Sequence, residues 1–253
     1  MEGEAAYGFI VNVDAQGSGL LSDTEKPEMR RRLYDVTGTA FERAGIRSPR
    51  LYQEDRGDGI LSVLAPDVPP VRVVGEWLEH LHQNLKEINR GREKPLRLRA
   101  GLHIGPVTVD AHGRSGRAVD LACRLGDCDT AKALLRAADG APMVVAASDR
   151  LYEDVIRAGG RWVEPKHYRR HDVHLKEGRK TAWFMVPGLP EPPDLPEEPG
   201  PEGPSGPPGG TRPQPPAPRE TGGDFVQNIH QHGDGEVIAA KDIGTINIDR
   251  RKG

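Results

Sequence analysis

The sequence predicts an α+β fold with helices on one face of a mostly antiparallel sheet. Three observations carry that expectation. Short β-rich apolar runs alternate with longer stretches whose apolar residues recur every three or four positions. Their order is β-α-β-β-α-β, followed by α-β-α-β-β, a mixture that packs in layers around one core. The pattern fills residues 1–188 and then stops, where the composition turns to proline and glycine.

"YGFIVNVDA" is the first strand, with Phe9, Val11 and Val13 on one face and Ile10 on the other. It closes in the small-residue turn "DAQGSG". "TEKPEMRRRLYDVTGTAFERAG" is a helix striped by Leu33, Val36, Ala40 and Phe41, with Thr24 as its cap and Gly45 as its stop. "LYQED" and "ILSVL" flank the turn "RGDG" and form a hairpin. A second helix follows, marked by Val74, Leu78, Leu81, Leu85 and Ile88. "LRLRAGLHIGPVTVDAHG" alternates as a strand and continues into a hairpin arm. "GRAVDLACRLGD" and "AKALLRAA" are helices, "APMVVAAS" is a buried strand, and "SDRLYEDVIRAG" is a capped helix. "HDVHLK" and "TAWFMVP" close the region as two strands around "EGRK". The first six elements make a ferredoxin-like βαββαβ sandwich, and the rest a C-terminal αβ extension.

Residues 189–221 are a linker. Well over half of the 23 prolines fall between Pro187 and Pro218, with almost no large apolar side chains among them. Residues 222–253 form a short β-prone tail. The 35 basic and 38 acidic residues nearly cancel, which argues against nucleic acid or a membrane surface as partner. No apolar run is long enough to span a bilayer, and "MEGEAAYGFIVNVD" is no signal peptide, so a cytoplasmic protein is expected. Cys123 and Cys128 lack the second pair that a zinc site needs and read as free thiols.

Asp14 ends the first strand and is followed by Ala15, Gln16, Gly17, Ser18 and Gly19. Small residues let backbone N–H groups come close to an anion, as phosphate loops require. Asp58 lies at the hairpin tip. If that hairpin pairs beside the first strand, two carboxylates become neighbours, which is costly without cations. Two divalent ions would neutralise them and hold a polyphosphate. Arg99, Arg124 and Lys176 supply the positive charge a triphosphate needs. Taken singly, these residues also fit turns, caps and solvated faces, and spacing alone leaves both readings open. His103, inside a strand, reads as structural.

Together the motifs resemble the class III nucleotidyl cyclases, the adenylate/guanylate cyclase catalytic domain. "DAQGSG" stands where that family has Asp-Ile-x-Gly-Phe, and "RGDG" where it has a Gly-Asp hairpin. "RAGLHIG" matches Arg-x-Gly-Ile-His-x-Gly, and "GRAVDLACR" matches Gly-x-x-Val-Asn-x-Ala-x-Arg. "VHLKEGR" stands at the strand that carries a triphosphate lysine. The similarity covers roughly residues 7–187 and keeps the family's order. Ser18 replaces the family's phenylalanine, and Asp120 its asparagine.

The resemblance implies roles. Asp14 and Asp58, with the Ala15 backbone, would hold two divalent cations, Mg or Mn. Gly17, Ser18, Arg99 and Lys176 would meet phosphate. Arg124 would stabilise the α-phosphate, and Asp120 would accept from the ribose. It also implies a homodimer, with metals on one subunit and the arginine on the other. Glu54, four residues before Asp58, takes a base-reading position. A carboxylate there accepts from the N1–H and N2–H₂ edge of guanine, which favours GTP among the NTP substrates. The amino group of cytosine keeps CTP open. The partner position, Gly113, offers no side chain.

In the tail, "VQNI" and "IGTINI" resemble bacterial amyloid-signalling motifs related to the RIP homotypic interaction motif, common in defence systems. That likeness implies an amyloid-motif partner joined by like-with-like stacking. The same residues would also suit an edge strand docked on the chain's own domain or on a partner, or plain disorder. The chain as a whole is thus expected to be a signalling cyclase, or else a cyclase-like adaptor module without activity.

Overall fold

The computed structural model describes residues 4–195. The tail and residues 196–221 of the linker lie outside the described residues. Eight strands form one sheet in the order β2-β3-β1-β4-β6-β8-β7, with β5 paired to β4. They are β1 (Ala5–Ala15), β2 (Leu51–Asp55), β3 (Gly59–Leu64), β4 (Leu98–Asp110), β5 (Gly113–Ser115), β6 (Met143–Ser148), β7 (Arg169–Leu175) and β8 (Gly178–Met185). Every pairing is antiparallel except β4 with β6.

The helices are α1 (Lys26–Arg43), α2 (Pro70–Arg72), α3 (Leu78–Asn89), α4 (Arg117–Asp127), α5 (Asp129–Ala137) and α6 (Asp149–Leu151). A π turn at Val73–Trp77 joins α2 and α3 into one continuous rod. The α1 stripe is buried as its spacing predicts, and Gly45 ends the helix at φ +68°. Thr24 is not the cap. Glu25 takes that place, and its carboxylate accepts from the Ser22 N–H (2.9 Å) and hydroxyl (2.8 Å).

The expectation of helices on one face is corrected. Phe9, Val11 and Val13 pack in one core with Leu33, Phe41, Trp77 and Leu81 of α1 and the rod. Ile10, on the reverse of β1, packs instead with Ala118, Val119 and Ala122 of α4. Residues 8–13 of β1 are consequently buried on both faces, which is why "GFIVNV" reads as a nearly continuous apolar run. Phe41 stacks on the fully buried Trp77, with ring centroids 4.9 Å apart.

Close approach of α4 to the sheet depends on Gly101. A Cβ there would fall 2.0 Å from the Ala122 carbonyl oxygen and 2.7 Å from the Gly126 nitrogen. No side chain fits that gap, so the glycine in "RAGLHIG" is a packing requirement that sets the height of α4 over β4. Past β8, Pro192 is buried and Arg169 binds both Glu191 (2.8 Å) and Asp194. Among the described residues, no helix is long and apolar enough to cross a membrane.

Candidate active site

Strand register brings the two carboxylates to one place. Asp14 pairs with Gly59 of β3 on one side and Arg99 of β4 on the other. The Ala15 N–H donates to the Asp58 carbonyl (2.9 Å), which ties the hairpin tip to the end of β1. Gly59 is needed for this fit, since a Cβ there would lie 2.8 Å from the Val13 carbonyl oxygen. Gly17 takes φ +74° as the chain turns into a short 3₁₀ turn at Ser18–Leu20. The Ser18 hydroxyl donates to Asp58. At the position where the resembled family has phenylalanine, this chain thus orients a carboxylate.

Arg99 is buried, and its guanidinium is engaged within the protein. It donates from Nε to the Gly126 carbonyl (3.0 Å), from Nη1 to Gln16, and from Nη2 to Asp14 and Asp127 (3.3 Å to the latter). The structure therefore joins Arg99 to the carboxylates through Nη2, while Nε and Nη1 are held by the Gly126 carbonyl and the Gln16 amide oxygen. Burial pushes the Asp14 carboxyl from its ordinary 3.8 up to about 6; Arg99 opposes this, the charges of Asp58 and Asp127 add to it, and Lys132 opposes it.

A pair of crowded oxygen anions fits a hard divalent cation, because a cation offsets both the burial that chiefly raises Asp14 and the lesser repulsion from Asp58. The donors fit in kind as well: two carboxylates and a backbone carbonyl are the hard oxygen ligands such a cation takes. Among the described residues, no three His, Cys, Asp or Glu side chains converge as a ready-made metal cluster.

The second set of residues lies on α4 and the β7–β8 turn. Arg124 pairs with Glu177, and Lys176 is exposed on the same turn. Asp120 is exposed in the first turn of α4. Cys123, half-buried on α4, sets its thiol 3.6 Å from Asn12 Oδ1 of β1. Its thiol is pushed up by burial, with Arg56 opposing and Asp120, Asp14 and Glu54 adding. His103 is structural as expected, with Nδ1 2.7 Å from the Ser148 hydroxyl.

The structure also brings Glu54 and Gly113 together, and adds three residues that motif matching missed. A Cβ at Gly113 would lie 2.9 Å from Glu54 Oε2 and 2.9 Å from the Tyr52 hydroxyl. Tyr52 donates to Glu54 Oε2 (3.0 Å), Arg56 pairs with Glu54 Oε1 (3.0 Å), and Arg114 lies 4.5 Å over the Tyr52 ring. A usable signal was the two-residue step from Tyr52 to Glu54, which places both on one face of β2.

The sheet order and the covering of both faces match the class III cyclase fold. Two solved structures share it. The guanylyl cyclase Cya2 aligns at 20% identity and TM-score 0.53, covering 74% of this chain and 93% of its own. An adenylate/guanylate cyclase/hydrolase from Silicibacter pomeroyi aligns at 19% identity and TM-score 0.51, covering 74% and 99%. No protein-family model and no curated protein matches the chain.

Proposed function

We propose that the chain is a metal-dependent nucleotidyl cyclase that converts an NTP, with GTP favoured, to a 3′,5′-cyclic nucleotide and pyrophosphate in a signalling or defence role. The observation that carries this reading is the meeting of Asp14 and Asp58 beside the Gly17–Ser18 turn, within a cyclase fold. Asp14, Asp58 and the Ala15 carbonyl would hold the two cations. When bound, these ions would acidify the ribose 3′-hydroxyl and neutralise triphosphate charge.

The chain's own residues do the rest. Backbone at Gly17 and Ser18 holds phosphate. Asp120 accepts from a ribose hydroxyl and so fixes the sugar. The 3′-oxygen attacks the α-phosphorus as its proton passes to solvent water, and the bond to the bridging oxygen breaks with pyrophosphate as the leaving group. Arg124 meets the negative charge that develops on the α-phosphoryl oxygens, and Lys176 holds the β,γ end. To do so Arg124 must exchange Glu177 for phosphate. In this reading two chains pair, and each lends Arg124 and Lys176 to the carboxylates of the other. The tail would recruit a partner.

The test is incubation of the purified protein with Mg²⁺ or Mn²⁺ and each of the four NTPs, with cyclic product followed by mass spectrometry. GTP should give cyclic GMP. No product from any NTP overturns the enzyme reading. It would favour the second reading, an inactive binding module, for which the engagement of Arg99 and Arg124 by internal carboxylates is the specific support.

A further inference from the structure

The backbone at position 113 takes φ +138°, which only glycine adopts without strain. The space a side chain would enter there is already taken by Glu54 and Tyr52, each 2.9 Å from the Cβ position. No residue of β5 can project from that position toward Glu54. Tyr52 fills the gap instead, and it is held from two sides. Arg114 covers its ring, and its hydroxyl is fixed on Glu54 Oε2.

Burial and the bond to Glu54 keep the phenol protonated. Its proton is committed to the carboxylate, so the lone pairs of the phenolic oxygen remain free. Glu54 Oε1 is paired with Arg56 (3.0 Å), a part-exposed contact that leaves the carboxylate further lone pairs, so Tyr52 and Glu54 present two neighbouring acceptors. Guanine offers two adjacent N–H donors, at N1 and N2. Adenine and cytosine each set one amino donor beside a ring-nitrogen lone pair, and uracil flanks its single N–H with carbonyls.

We propose that Tyr52 is a base-reading residue, whose hydroxyl replaces the side chain that position 113 cannot carry and forms with Glu54 an acceptor edge selective for guanine. This rests on the nucleotide-site reading above and deepens it.

The experiment compares GTP with ITP, whose base keeps N1–H but lacks the N2 amino group, in the full chain and in Tyr52→Phe. The variant keeps the ring under Arg114. Wild type should prefer GTP over ITP. Tyr52→Phe should lower kcat/KM for GTP about tenfold, chiefly through KM, and that for ITP less, so the preference shrinks. An unchanged GTP/ITP ratio, or a wild-type preference for ATP, CTP or UTP, overturns the proposal while leaving cyclase activity intact. If no NTP turns over, equilibrium binding of GTP and ITP with Ca²⁺ gives the same comparison. There a shrinking preference supports Tyr52 without the enzyme, and an unchanged preference or no binding to wild type overturns it.

Discussion

Asp14 and Arg99 meet as direct partners on one rung of a strand ladder, while Arg124 and Glu177 meet across the space between a helix and a hairpin turn. The first pair is held by backbone register on both sides, and its arginine is buried. The second joins side chains on separate elements, and its glutamate is about half exposed, at 49%. Buried ion pairs resist rearrangement because separating them strands a charge away from water. Exposed pairs are worth little and exchange easily. One half of the proposed site is therefore built before substrate arrives, and the other is assembled by trading partners.

The largest effects should come from breaking the prebuilt half. Asp14→Ala or Asp58→Ala should lower turnover by about a thousandfold or more, because the proposed cations lose a carboxylate ligand. Arg124→Ala should cost about a hundredfold. Mixing Asp58→Ala with Arg124→Ala chains sharpens the comparison. Each homodimer is defective, but a mixed dimer holds one intact site, so activity should recover to about a quarter of wild type. Activity that stays at the level of the separate variants would show that the two halves do not come from different chains.

Next in size is Arg99→Met. It removes the cation from Asp14 and Asp127 and leaves Gln16 and the Gly126 carbonyl without their donor. Loss of stability of about 3–5 kcal/mol is expected by denaturant unfolding. A loss below about 1 kcal/mol would mean that Arg99 is not the keystone its contacts describe.

Asp14 itself should give a smaller effect of opposite sign. Its folded pKa, about 6, lies above its ordinary 3.8, so the folded state holds the proton more tightly. Below about pH 4 the group is protonated in both states and costs nothing. As pH rises through 6 it ionises in the folded state as well, and the full penalty is present. Asp14→Asn should therefore raise metal-free stability by about 1–2 kcal/mol at pH 7, and the gain should vanish near pH 4. A variant less stable than wild type at pH 7 would mean that pairing with Arg99 outweighs burial. The outcome expected is the familiar exchange of stability for a working site.

Some of this was legible in the sequence because local chemistry dictated it. A strand that ends at an aspartate followed by small residues, and a Gly-Asp-Gly turn, announce themselves without knowledge of neighbours. The apolar stripes of α1 and α3 are likewise local. What was hidden depends on register and on which face an element covers. Nothing local to "RAGLHIG" says that Arg99 will face Asp14, and nothing near Gly113 says that Tyr52 will occupy its space. The placement of α4 was missed because its stripe tells that a face is buried, but not against which side of β1. Glu177 was passed over because a carboxylate in a hairpin turn ordinarily faces solvent.

Glu177 gives the mildest and most diagnostic test. Glu177→Gln removes the charge that holds Arg124 but keeps the side-chain volume. An exposed pair of this kind contributes about 1 kcal/mol or less, so stability should hardly change. Turnover should rise a few-fold, because Arg124 no longer leaves one anion to meet another. The gain should be largest at low ionic strength and fade toward 1 M salt, where screening has already loosened the pair in wild type. A salt-independent gain would point to a change in loop shape instead of charge. Lower turnover in Glu177→Gln would invert the comparison, making Glu177 the residue that aims Arg124 at phosphate and the second half of the site as preorganised as the first.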